Sequence, residues 1–157
     1  MRMNTTEECL IKFYTAFAAG NAEQMNTCYH RDATFHDPAF GHLDFEEVKA
    51  MWKMLISRSK SLSIEFEIFE VNENHGAATW VASYPFGKNQ RSVVNHVHSS
   101  FEIENGLILK QRDKFDLWKW SRQALGTPGL VFGWTPSMKK QIQSKSKKML
   151  ARYMSET

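Results

Sequence analysis

The apolar positions change period twice along this chain. After Thr5, Leu10, Phe13, Tyr14 and Phe17 recur at three- and four-residue spacing, which predicts an amphipathic helix closed by Gly20. A short second helix is predicted from residue 22 to about 29. A third runs from 45 to about 60, with Val48, Met51, Trp52, Leu55 and Ile56 on one stripe. Thr5 with Glu8, Asn21 with Gln24 and Asp44 with Glu47 mark the three starts. Each pair sets a capping side chain three residues before a Glu or Gln that reaches back.

In the middle of the chain the period falls to two, and residues 61–71, 77–84, 92–104 and 107–120 read as four strands. Asn105-Gly106 supplies a two-residue hairpin turn, Asn74-His75-Gly76 marks another tight connection, and 84–91 is a longer loop. In the third strand Val93, Asn95, Val97, Ser99, Phe101 and Ile103 share one face, opposite His96 and His98. In the fourth, Leu109, Gln111, Asp113, Phe115 and Leu117 share a face opposite Lys110, Arg112 and Lys114. Asn95 and Asp113 are thus polar residues in apolar company.

Beyond Trp120 the pattern is helical but broken. Residues 124–129 read as a turn and 130–134 as a short apolar run. Thr135 caps a final helix with Pro136 at its first position. Met138, Ile142, Met149, Leu150 and Tyr153 give that helix an apolar stripe, which predicts that it docks on its own chain or on a partner subunit. The whole predicts an α+β domain, with helices on one face of a curved antiparallel sheet and a C-terminal helical extension.

Composition narrows the class. With 157 residues, 42% hydrophobic and 24% charged, the chain has the balance of one globular domain, which excludes wholesale disorder. No apolar run approaches the roughly 18–20 residues that span a bilayer. Acids near the start replace the apolar core a signal peptide needs. Cys9 and Cys28 are too few for a disulfide scaffold and read as buried thiols. A cytoplasmic location is expected. The formal charge of +3 belongs to the tail: from Ser137 onward there are six bases and one acid, against 14 bases and 16 acids elsewhere. A solvated helix face is the expected reading, with neither specific nucleic acid nor membrane as partner.

Asp113 is the sharpest chemical candidate. A carboxylate on an apolar face has a raised pKa unless a partner stabilises its charge, and so is suited to general acid–base work. The alternative is a buried structural hydrogen bond or an arginine pair. Asp37, in His36-Asp37-Pro38, is the second candidate, against a turn aspartate bonding its own backbone. His30, His36, Asp37 and His42 fit no standard metal-ligand spacing, and no phosphate-cradling glycine loop or nucleophile elbow is present, so neither metal nor cofactor is expected. Tyr14, Phe35, Trp52 and Trp80 read as core or pocket lining.

Two motifs carry a resemblance. Asp32-Ala33-Thr34-Phe35-His36-Asp37-Pro38 after the second helix, and Gln111-Arg112-Asp113-Lys114-Phe115-Asp116 in the fourth strand, resemble the SnoaL-like branch of the nuclear-transport-factor-2-like superfamily. That group includes ketosteroid isomerase, limonene epoxide hydrolase and polyketide cyclases. The resemblance implies a cone-shaped α+β barrel over residues 1–125, often dimeric, with an apolar pocket and an extension over 126–157. It places Asp37 at the isomerase's base and Asp113 at the epoxide hydrolase's acid–base aspartate. Ser99 falls where the isomerase has its oxyanion-binding aspartate. Phe13 takes its helix-1 tyrosine, with Tyr14 one residue out of phase. Residues 77–84 carry none of the charges the epoxide hydrolase needs.

The expected function is binding of a small, mostly apolar molecule, with proton transfer by Asp113 or Asp37. Asn95 would donate to the ligand, and Ser99 or Tyr14 would contact an oxyanion. Trp52, Trp80, Phe35 and Phe115 complete the expected lining, with Phe101 and Leu117 close by. The alternative is a non-catalytic ligand-binding or protein-interaction module of the same fold. A homodimer is expected, with His96 and His98 on a dimer or solvent face outside the pocket.

Overall fold

A computed structural model describes residues 4–59 and 61–157. Its elements are α1 (Thr5–Ala18), α2 (Ala22–Asn26), β1 (Tyr29–Asp37), β2 (Gly41–Leu43), α3 (Phe45–Arg58), β3 (Ser63–Val71) and β4 (His75–Phe86). β5 (Arg91–Glu104), β6 (Leu107–Lys114), α4 (Leu117–Leu125), α5 (Thr127–Phe132) and α6 (Pro136–Glu156) follow. The strands form one sheet in the order β2-β1-β6-β5-β4-β3. Every neighbouring pair is antiparallel except β1 and β6, which run parallel.

The predicted helices form, with adjusted ends. Asn4, not Thr5, caps α1 by accepting from the Glu7 amide at 2.7 Å. That leaves Thr6 free to turn inward, where its hydroxyl donates to the Glu73 carbonyl at 2.7 Å. Asp44 and Glu47 make the complete reciprocal cap of α3. That helix ends at Arg58, and the expected end near residue 60 lies outside the described residues. The α2 helix stops at Asn26, three residues short of the expected Tyr29.

The larger departures are in the strands. β1 and β2 were not anticipated. A register shift lies between Tyr29 and Thr34, and Arg31 is exposed there, which separates the inward Tyr29 from the inward run Ala33, Phe35 and Asp37. A second irregularity, opposite Glu102 and Ile103, turns Ile108 into the core and leaves Leu109 half-buried. β6 stops at Lys114. Asp116 then caps α4 by accepting from the Lys119 amide at 3.0 Å, so Leu117 belongs to a helix and not to the strand.

One core fills the space between the sheet and helices α1 and α3. Phe13 meets Tyr14, Tyr29, Trp52 and Phe101 edge-on, and Phe17 packs between Trp52 and Trp80. α1 crosses β4 so closely that a Cβ at Gly76 would stand 2.4 Å from a Leu10 methyl. Cys9 and Cys28 are free and buried. The last helix docks on its own chain. It lies against α3, with Ile142 and Leu150 buried and Tyr153 half-buried under the Arg58 guanidinium. Among the described residues no helix is long and apolar enough to cross a membrane.

Candidate active site

Beside Phe17, near the C-terminal end of α1, a cavity of about 370 Å³ lies between the sheet and helices α3, α4 and α6. Phe17, Trp52, Trp80, Phe115, Trp120 and Val97 supply much of its apolar wall, and Ile142 and Met149 of α6 close one side. Asp37, Tyr84, Asn95 and Asp113 are the main polar groups of the strands that reach it.

Asp113 is 3% exposed. Its Oδ1 accepts from the Ser99 hydroxyl at 2.6 Å and from Gln111 Nε2 at 3.1 Å. Both donors are themselves held. Trp80 Nε1 donates to Ser99 Oγ at 2.8 Å, and the Tyr29 hydroxyl, which receives Trp52 Nε1 at 2.8 Å, donates to Gln111 Oε1. Two indole-anchored arms therefore fix one carboxyl oxygen, while Oδ2 has no protein donor among the described residues. Burial pushes the Asp113 pKa up to about 7. The Ser99 and Gln111 donors restrain that rise, and the negative charge of Asp37 adds to it.

Asp37 reaches the same wall from β1. His36 pairs with Arg112 across the parallel ladder, so the next step sets Asp37 beside Asp113 on the inner face. Adjacent strands lie roughly 5 Å apart, which makes the two carboxylates neighbours. Asp37 is 9% exposed, and its Oδ1 accepts from the amides of Ala39 at 2.9 Å and Phe40 at 2.6 Å. Burial lifts its pKa to about 6 against the pull of those two amides. The turn-aspartate reading describes its bonds, and the same side chain stands on the cavity wall. The turn is tied to the last helix, since Gln143 Nε2 donates to the Pro38 carbonyl at 3.1 Å.

Of the lining expected from sequence, Trp52, Trp80, Asn95 and Phe115 are in place. Ser99, Tyr14 and Phe35 are not: each is wholly buried beneath the cavity. Ser99 faces inward as its strand phase requires, but at the end of the sheet that α1 covers. Tyr14 stacks on Phe66 at 5.2 Å, and its hydroxyl has no hydrogen-bond partner among the described residues; burial, reinforced by Asp113, holds the phenol well above its usual pKa. Phe35 packs edge-on against Trp52 in the core. Phe101 lies beside Phe13 under α1, and Leu117 has left with α4. His96 and His98 are exposed on the outer face, away from the cavity.

Tyr84 and Trp120 were missed. Trp120 Nε1 donates to the Tyr84 hydroxyl at 2.7 Å, and burial keeps that phenol protonated. The phase Ala78, Trp80, Ala82, Tyr84 along β4 marks Tyr84 as inward. Trp120 gave no such signal, because its position depends on the helix that replaced the strand's end.

The SnoaL-like domain model matches residues 10–111. The chain belongs to the SnoaL-like family. The match ends two residues before Asp113 and leaves α4, α5 and α6 outside it. Solved structures agree on the fold. A "putative polyketide cyclase" from Silicibacter sp. TM1040 is 19% identical, with 79% of this chain and 98% of that one covered at a TM-score of 0.67. A hypothetical protein with a ketosteroid isomerase-like fold from Catenulispora acidiphila DSM 44928, in complex with trimethylamine, is 16% identical over 83% and 99%, with a TM-score of 0.67. An LEH-like epoxide hydrolase from M. tuberculosis is 16% identical over 81% and 92%, with a TM-score of 0.60. Among the curated proteins none matches the chain. At these identities the SnoaL-like likeness establishes architecture, and chemistry has to be argued from the site.

Proposed function

We propose that this SnoaL-like protein binds a small, mostly apolar carbonyl compound in the cavity and moves a proton on it with the Asp37–Asp113 pair. The observation that carries the reading is the pair itself: two neighbouring buried carboxyls on the wall of an apolar cavity, with pKa values pushed to about 6 and about 7. The charge of Asp37 raises Asp113, and between those values the two carboxyls hold one proton. The ionised member takes a proton from carbon next to the carbonyl. The electron pair of the broken C–H bond forms the enol double bond, and the carbonyl oxygen takes the proton of the protonated member. In a β,γ-unsaturated ketone the product is a dienol; delivery of the abstracted proton to its γ carbon, with the enol proton returning to the carboxylate that gave it, re-forms the carbonyl and completes an isomerisation, and no redox partner is needed. Strand phase sets Asn95 four residues along β5 from Ser99, the partner of Asp113, a span of roughly 13 Å. Asn95 and Tyr84 therefore suit the far end of an elongated ligand.

The similarity to cyclase- and isomerase-like structures supports this reading, and the absence of charge on the inner face of β4 argues against a copy of the epoxide hydrolase site. A panel of cyclic ketones incubated in deuterated water tests it, with exchange at carbon next to the carbonyl followed by NMR. Exchange by the wild type that falls by about a hundred-fold or more in Asp113→Asn and in Asp37→Asn supports proton transfer. Ligand binding with no exchange, or exchange that survives both substitutions, identifies a binding module instead.

A further inference from the structure

Helix α5 is built inside out. Its glycines face the protein: a Cβ at Gly129 would stand 1.9 Å from the Ser121 carbonyl oxygen, and one at Gly133, just past the helix, 2.1 Å from Ser121 Oγ. With the small residues turned inward against α4, the large ones point out. Leu130 is 53%, Phe132 55% and Trp134 65% exposed, with Val131 and Trp118 beside them. Surface residues of this kind occur singly as a rule, and a contiguous group marks a docking face.

The charge around this face identifies what it meets. From Leu117 to Ser155 the chain has no acidic residue and eight lysines and arginines. None of the eight pairs with a carboxylate among the described residues. Four of them flank the apolar turn, Lys119 and Arg122 before it and Lys139 and Lys140 after it. The Arg122 guanidinium lies over the Trp118 ring at 4.7 Å, within a cleft shared with Arg91 and Lys119, and Lys139 and Lys140 follow Trp134 in the first turns of α6. A protruding Trp, Phe and Leu ringed by uncompensated cations matches the interface of an anionic bilayer, where aromatic side chains enter the headgroup region and lysines meet lipid phosphates. A second copy of this chain fits less well, because a two-fold contact would bring the same cations together.

We infer that the α4–α5–α6 face docks this protein on anionic membranes, with Leu130, Phe132 and Trp134 inserted and the surrounding lysines and arginines on the headgroups. This departs from the sequence-based expectation of a merely solvated basic tail. It requires no particular chemistry in the cavity. Because α4 and α6 also line the cavity, docking would set an apolar binding site beside a reservoir of apolar molecules.

The test is sedimentation of the full chain with vesicles of phosphatidylcholine alone or mixed with phosphatidylglycerol. The wild type is expected to pellet with the mixed vesicles and about ten-fold more weakly with neutral ones, and the double variant Phe132→Ala/Trp134→Ala to lose about ten-fold in partitioning. These side chains are exposed, so an unchanged circular-dichroism melt of the variant is expected. Three results overturn the inference: no pelleting of the wild type with either vesicle; equal pelleting of the double variant, which leaves charge alone as the cause; or a dimer by light scattering that the double variant dissolves, which assigns the face to a second copy.

Discussion

At Asp113 the burial that readies a carboxyl for proton transfer also weakens the fold. Its folded pKa, about 7, lies above the ordinary value of 3.8, so the folded protein holds this proton more tightly than the unfolded chain does. The stability it contributes is complete below about pH 4 and is lost as pH rises through about 7. Asp113→Asn keeps an oxygen acceptor for Ser99 and Gln111 but carries no charge. Urea unfolding should therefore find it more stable than the wild type by roughly 1–3 kcal/mol at about pH 8, with the gap closing toward about pH 4. The inward phase of Asp113, Asn95 and Ser99 was legible from the two-residue period of β5 and β6. The arms that hold Asp113 were not, because Tyr29, Trp52 and Trp80 reach it from three other elements.

At the scale of elements, close backbone approach decides where helices lie. α5 crosses α4 where only glycine fits, at Gly129 and Gly133. Gly129→Ala should force the two helices apart and cost roughly 1–3 kcal/mol, visible as a lowered urea midpoint and faster proteolysis near residue 127. Sequence reading took this stretch for a turn and an apolar run. Gly126-Thr127-Pro128-Gly129 does have turn composition, and a helix of six residues is too short to establish a period. In β1 the exposed Arg31 and the polar His30 and Asp32 interrupt the apolar alternation, whereas the long regular elements α1, α3 and β5 were readable almost to their ends.

At the scale of the molecule, α6 is a wall of the cavity and not an appendage. Leu150 is 2% exposed against the core, Ile142 lines the cavity and Gln143 holds the turn after Asp37. Leu150→Ala should cost roughly 2–4 kcal/mol by urea unfolding, and limited proteolysis should leave Thr135 uncut in the wild type. Rapid cutting there would mean that the helix is detached. The apolar stripe announced docking from sequence, but not that the helix would meet α3 and the cavity of its own chain. Met149 shows why: it belongs to the stripe, yet it faces the cavity and stays 39% exposed. A homodimer is expected, with His96 and His98 on either a dimer contact or a solvent face, and light scattering at low concentration checks it.

The paired carboxylates are the centre of this account, and their titration tests it most directly. In protein labelled with ¹³C at the aspartate carboxyls, the resonance missing from Asp113→Asn should titrate in the wild type near pH 7, and its midpoint should fall in Asp37→Asn, where the neighbouring charge is gone. A midpoint near 4 that Asp37→Asn leaves unmoved would contradict a proton shared between the two side chains.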